Sequence, residues 1–379
     1  MSAPQYKELR HAYGFDDVAI VPGDVTVNPD LVDVSTELGD TRFDIPIIAS
    51  AMDAVVDVDF AVRYSKMGGL AVLNLEGLQT RYDDPDAVLA ELGEAPKERA
   101  TELLQKAYNA PIRPELVGER VRAIKERQGI AAVACAPAWT KRLAPIAAEA
   151  GGDFFFVQST VTTARHISRS ERGLRLDELC RTLPMPVLVG NTVGYHATRE
   201  LMEMGVAAVL VGVGPGAACT SREVLGIGVP QVTATIDCAA ARDHHYSETG
   251  RYVPIITDGG MRSGGDICKA FAAGADAVMI GSPFAAIEGA PGRGHHWGMA
   301  TPNADLPRGT RVEVGRRTTL ERLLNGPTSR TDGTENLVGA LRTAMGMCGA
   351  RNIREFHTAE MVIAPAIKTE GKLYQMAQM

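Results

Sequence analysis

A (β/α)8 TIM barrel is the fold class this sequence predicts, on three observations. Eight short apolar runs recur along the chain, each bounded by Gly, Pro or Asp. Stretches with helical periodicity separate them. Polar residues and glycines follow directly after most of the runs. Continuous apolar strands alternating with helices describe a parallel sheet covered on both faces, and eight such units close most simply into a barrel. The competing doubly wound sheet would show Gly-x-Gly-x-x-Gly after its first strand and an acidic residue about 20 positions on. That fingerprint is missing. The superficially similar Gly212-Val213-Gly214-Pro215-Gly216 follows the sixth run and leads into a cysteine.

In chain order the expected strands are Ile45 to Ala49, Gly69 to Leu73, Ala131 to Cys135, Asp153 to Val157, Pro186 to Val189, Ala207 to Val211, Val253 to Thr257 and Ala277 to Ile280. Helical patterns lie between them at Asp59 to Met67, Thr140 to Ala150, His196 to Met204 and Gly265 to Ala273. A barrel builds its site from the loops at the C-terminal ends of its strands. Just past the runs stand Ser50 and Met52, Asn74, Gln158 and Ser159, Gly190 and Asn191, the loop carrying Cys219, Asp258-Gly259-Gly260 and Gly281-Ser282. Two segments depart from the repeat. Residues 75–125 are charged and punctuated by proline, with helical patterns at Asp84 to Gly93 and Pro114 to Arg127, so a helical excursion is expected before the third strand. From His295 the chain enters a C-terminal extension containing Arg311 to Val314 and a helix near Asn336 to Met347. With no tandem repeat and no linker, residues 1–379 read as one barrel domain.

With 379 residues and 45% of them apolar, the chain can bury a substantial core. A formal net charge of -7 argues against a protein whose task is to grip nucleic acid, which needs a basic face. A small anion would be held by backbone N–H groups instead. The six cysteines form no Cys-x-x-Cys pair, which points to a reducing, cytoplasmic setting. No apolar run approaches the ~18 residues that cross a bilayer, and Met1 to Phe15 is polar where a signal peptide would be apolar. No membrane and no nucleic-acid partner is expected.

Cys219 follows Gly214-Pro215-Gly216-Ala217-Ala218 and precedes Thr220 and Ser221. An isolated cysteine is either a small buried hydrophobe or a functional thiol; the glycines and the two hydroxyls predict an exposed loop. Thiolate is the reactive form, favoured by backbone N–H groups or a nearby cation. Arg222 is a candidate cation or an ordinary surface arginine. Asp258-Gly259-Gly260 and Gly281-Ser282, at the tips of strands seven and eight, match a barrel phosphate site, and Ser263 would start the adjoining helix. Both could equally be plain turns. An aspartate there can accept hydrogen bonds from sugar hydroxyls. The pairs His244-His245 and His295-His296 lack the spacing of a metal motif.

These residues resemble the family of IMP dehydrogenases and GMP reductases. The resemblance runs through Phe15-Asp16-Asp17-Val18, Ser50-Ala51-Met52-Asp53, Gly190-Asn191, the Cys219 loop with Pro230-Gln231, Asp258-Gly259-Gly260, Met279-Ile280-Gly281-Ser282 and Cys348-Gly349-Ala350. It is nearest to the short bacterial members without the regulatory CBS modules, for which residues 75–125 are too few. It implies that Cys219 attacks C2 of a purine nucleotide, GMP or IMP, giving a thioimidate, with Thr220 and Ser221 beside it. It further implies that Ser50, Met52 and the Cys219 loop flank base and ribose. Asp258 would take the ribose hydroxyls, and Gly259, Gly260, Gly281 and Ser282 would take the phosphate. Gly298 and Met299 would close over the base, and Gln158, Ser159, Gly190 and Asn191 would face a nicotinamide cofactor. Carbonyls of Gly214, Gly216 and Cys219 would hold a monovalent cation, potassium. A homotetramer is implied.

The resemblance also bears on direction. Dehydrogenases hydrolyse the thioimidate with a long flap carrying an Arg-Tyr pair. Here only Ala300 to Pro307 separates Trp297-Gly298-Met299 from Arg308-Gly309, and no Arg-Tyr occurs there. GMP reductase with NADPH is therefore the expected activity. IMP dehydrogenase with NAD, using Arg308 on water, is the alternative, and a non-catalytic nucleotide binder is a third reading. Departures from the reductase pattern are Ser221 for threonine and Arg308 for glutamate, the pair that handles ammonia there; departures from the family pattern are Gln158 for aspartate, Ala217 for a phosphate-binding serine and Leu210 for a basic residue.

Overall fold

The structure, a computed structural model, describes residues 9–167, 173–298 and 310–366. Eight parallel strands close a barrel in simple chain order: β1 Ile47–Ala49, β2 Leu70–Asn74, β3 Ala132–Cys135, β4 Phe154–Gln158, β5 Val187–Thr192, β6 Ala208–Val211, β7 Ile255–Asp258 and β8 Ala277–Ile280. Closure comes from β8 pairing with β1, Val278 opposite Ile47. All eight expected strands are present, with ends shifted by up to three residues.

Alternation along each strand divides the core in two. Ile48, Leu70, Val72, Phe154, Phe156, Leu188, Leu210, Ile256 and Met279 fill the barrel interior. Their neighbours Ile47, Leu73, Phe155, Val157, Val189 and Val209 pack outward with the helices. Burial on both faces is why the strands read as unbroken apolar runs. The bottom of the barrel is stopped by a hairpin, Thr36–Leu38 with Thr41–Phe43, whose Leu38 and Phe43 join the interior cluster. Phe43 meets the Phe154 ring at 5.8 Å.

The expected helices form at Val58–Lys66, Pro137–Glu149, Tyr195–Glu203 and Gly264–Ala272. Ser263 caps the last of these, accepting from Asp266 N. The excursion holds Pro85–Glu94, Lys97–Tyr108 and Pro114–Glu126, the middle one unforeseen. In the extension, His295–His296 pairs antiparallel with Val312–Glu313, and Leu337–Met347 packs on Gly264–Ala272. Among the described residues no helix is long and apolar enough to cross a membrane.

Candidate active site

At the C-terminal mouth of the barrel lies a cavity of about 890 Å³. Its wall includes Ser50, Met52, Gln158, Ser159, Asn191, Gly214, Gly216, Cys219, Thr220, Ser221, Asp258, Gly259, Gly260, Gly281, Ser282 and Gly298. These residues come from loops after β1, β4, β5, β6, β7 and β8, so a site spread over 249 positions of sequence is one chamber. Gly190 is the exception among the expected wall residues. It sits one position down β5, where a Cβ would lie 2.5 Å from Leu210 Cβ. Its carbonyl accepts from Ser159 N at 3.0 Å and from Thr162 Oγ1 at 2.7 Å. Gly190 therefore holds the β4 and β5 tips together without reaching the cavity. Met299, Ala300 to Pro307 and Arg308-Gly309 lie outside the described residues.

Cys219 is exposed on the cavity wall, as the loop chemistry predicts, whereas Cys135, Cys238 and Cys268 are buried. Burial pushes each of those three thiols up to about 12, which leaves them inert. The Cys219 thiol donates to Ser221 Oγ at 3.4 Å, and its own N–H is held by the Gly216 carbonyl at 3.0 Å. Ser221 is 2% exposed and opens the short helix Ser221–Leu225, so its hydroxyl is fixed beside the sulfur. Arg222 is otherwise engaged: its Nη2 donates to the Val229 carbonyl at 2.9 Å.

The loop after β7 is built against the cysteine loop. Gly259 and Gly260 take φ of +81° and +83°, and a Cβ on Gly260 would come within 3.0 Å of Pro215; only glycine combines that conformation with that approach. Gln231 ties the two loops from below, its Nε2 donating to Val211 O at 3.0 Å and Asp258 O at 2.8 Å. The loops after β1 and β8 meet in the same way, with Gly281 so close to Met52 that a Cβ would stand 2.7 Å from Sδ.

Asp258 Oδ2 accepts from Asn191 Nδ2 at 2.8 Å and from Gln158 Nε2 at 2.9 Å. Burial pushes this carboxyl up to about 6, against the pull of those two amide donors. Gln158 thus serves the aspartate directly. Leu210 is fully buried in the barrel interior and presents nothing to the cavity.

Two features went unread in the sequence. The turn Gly14–Asp17 walls one side of the cavity, tied down by Arg262 to Asp16 at 2.7 Å and Lys269 to the Phe15 carbonyl at 2.7 Å. His296 is buried in the wall with Nε2 2.8 Å from Ser282 Oγ. Burial and His295 push its pKa down to about 4, so it is neutral near pH 7. Both histidine pairs lie on regular elements, His244-His245 in helix Gln231–Thr249 and His295-His296 in a strand, and among the described residues no group of three or more His, Cys, Asp or Glu could hold a metal. Only the alternation of a two-residue strand could have sent His296 inward, too short a signal to read.

The arrangement brings an exposed thiol with a hydroxyl partner into one chamber with a buried carboxylate and a glycine-rich floor. The model of the IMP dehydrogenase / GMP reductase domain matches residues 12–301. An uncharacterized oxidoreductase of Mycolicibacterium smegmatis is 39% identical over 366 residues, 94% of this chain and 98% of its own. The inosine-5'-monophosphate dehydrogenase of Cryptosporidium parvum is 30% identical over 385 residues, 92% of this chain and 91% of its own. The crystal structure of an IMP dehydrogenase/GMP reductase-like protein from Corynebacterium glutamicum superposes with a TM-score of 0.89 at 33% identity, covering 96% of this chain and 97% of that one.

Proposed function

As the chain belongs to the IMP dehydrogenase/GMP reductase family, we propose that it is a purine-nucleotide oxidoreductase working as a GMP reductase: GMP, NADPH and two protons become IMP, NADP and ammonium. The observation that carries this reading is the exposed Cys219 thiol, 3.4 Å from the Ser221 hydroxyl, in the chamber shared with Asp258 and the paired glycines. The direction rests on the short Ala300 to Pro307 stretch without an Arg-Tyr pair.

In this reading the ribose hydroxyls donate to Asp258, and the phosphate lies on the N–H groups of Gly260, Gly281 and Ser282; Gly259, expected among them, spends its N–H on the Met279 carbonyl at 2.9 Å and shapes the loop instead. The neutral His296 holds the Ser282 side chain. As sulfur bonds to C2, the thiol proton passes to Ser221 Oγ, and a proton from that hydroxyl goes to the departing amino group. Ammonia leaves with the C2–N bond, and sulfur stays bound at C2. Gln158, Ser159 and Asn191, which line the same chamber, would hold a reduced nicotinamide, and its hydride would turn the adduct into IMP. The C2–S bond then breaks and the thiol takes back a proton. Of the carbonyls assigned to potassium, that of Gly216 also accepts Cys219 N–H, and no step is assigned to the ion. A homotetramer in the cytoplasm goes with this reading.

Purified protein with GMP and NADPH should consume NADPH at 340 nm. NADH formed from IMP and NAD, with no reaction of GMP, would instead establish the dehydrogenase that the Cryptosporidium relative's name suggests. Nucleotide binding with neither reaction would establish a binding protein.

The Asp258 carboxyl sets a pH dependence. Hydroxyl donors need its ionised form, so GMP affinity should be full above about pH 6 and fall as the pH drops through it. Stability of the free protein moves oppositely: with the folded-state value raised above the ordinary 3.8, the folded state binds more protons, and stability declines as pH rises from about 4 to about 6. Gln158→Asp would set a second carboxylate where an amide now donates at 2.9 Å, and two such groups share a proton. The pH at which GMP binding sets in, measured by calorimetry, should then move up. A downward shift or none would contradict the assigned role of Gln158.

A further inference from the structure

Helix Lys97–Tyr108 does more than fill the excursion. Its Leu104, Ala107 and Tyr108 form a third apolar core with Ala54, Leu78, Leu89, Leu92 and Trp297, separate from the two cores of the barrel. Trp297 is the largest fully buried side chain in the described structure. A buried indole N–H needs an acceptor and a buried phenol needs a partner. Here Trp297 Nε1 donates to the Tyr108 hydroxyl at 2.8 Å, and that hydroxyl donates to Asp53 Oδ2 at 2.5 Å. Asp53 Oδ2 also accepts from Leu78 N at 2.8 Å. A Cβ on Gly77 would lie 1.9 Å from Asp53 Oδ1, so the carboxylate is packed in place.

The ends of this chain of bonds matter. Asp53 follows Met52, and Trp297 precedes Gly298, and both of those neighbours line the cavity. The other strand of the Trp297 hairpin stem is fastened to the same excursion: Arg311 donates to the Leu92 carbonyl at 2.6 Å and to the Ala95 carbonyl at 2.7 Å. Gly292 N is held by the Ala54 carbonyl at 3.0 Å.

We propose that Tyr108 is a positioning residue for the nucleotide site. Its hydroxyl locks the Trp297–Gly298 wall to the Met52–Asp53 turn, so that the excursion sets the width of the cavity mouth. The proposal rests on the nucleotide-oxidoreductase reading for its ligand, though not for its geometry. Phenylalanine at this position keeps the ring in the apolar core while deleting both bonds.

Two tryptophans occur in the chain, so a Trp139→Phe background isolates the emission of Trp297. In that background Tyr108→Phe should raise the Kd and KM for GMP about tenfold while kcat changes far less, and should shift Trp297 emission. Tyr108→Phe combined with Trp297→Phe should lose no more affinity than either change alone, because both break one chain of bonds. Wild-type affinity in a folded Tyr108→Phe protein, or losses that add, would overturn the proposal. Should that variant fail to fold, Trp297→Phe alone serves, and unchanged GMP affinity overturns it. Were the unaltered protein to bind neither GMP nor IMP, the nucleotide reading would fail by itself; the coupling would then be read from Trp297 emission, and no change on Tyr108→Phe would refute it.

Discussion

Cys219→Ala is expected to remove turnover by at least about 10³-fold while GMP binding stays within a few fold, since the sulfur forms the bond on which the reaction depends and contributes little to ground-state affinity. The three buried thiols cannot substitute. Cys135, Cys238 and Cys268 are buried and held protonated. Calorimetry with GMP and the 340 nm assay on the same preparation check both halves. Residual activity near wild type would remove the covalent step from the mechanism. A companion change, Ser221→Ala, should slow the coupled sulfur attack and ammonia loss and lower kcat while GMP binding is kept.

Asp258→Ala should weaken GMP by about 10²-fold, because two hydroxyl donors lose a charged acceptor, each bond being worth roughly 1.5–3 kcal/mol. It also takes one acceptor from each of Asn191 Nδ2 and Gln158 Nε2, which now donate to this carboxylate at 2.8 and 2.9 Å and keep the Gly212 carbonyl and Asn191 Oδ1 respectively. Asp258→Asn is the milder change: its oxygen can satisfy those two amides, turning the NH2 group toward the ribose. A cycle with 2'-deoxy-GMP tests the contact itself. The missing hydroxyl should cost affinity in the unaltered protein and almost none in Asp258→Ala. Equal costs in both would move the ribose away from Asp258.

The barrel was legible because its signal is local. β4 and β8 are unbroken apolar runs ended by Gln158 and Gly281, and burial on both faces leaves no alternation to confuse them with amphipathic helix. The Cys219 loop and Asp258-Gly259-Gly260 were readable for the same reason, being short strings of residues with special backbone or chemistry. The Thr36–Phe43 hairpin was not, as its strands are three residues each, too short for an alternation to be read. Helix Lys97–Tyr108 escaped too, starting at Pro96 without a capping side chain. Gly190 looked like a wall residue by position, and only the packing of Leu210 against it shows that its work lies inside the sheet.

By itself, then, the sequence determined the βα repeat, the closed barrel and the family, and singled out the loop cysteine that lines the cavity. The partners of those residues were decided by the tertiary structure alone. Gln158 meets Asp258 across 100 positions and Trp297 meets Tyr108 across 189. Periodicity and turn chemistry act over a few residues and can be read in one dimension. Hydrogen bonds between loop tips depend on barrel closure and on which side chains burial leaves in need of a partner, and neither exists until the chain has folded.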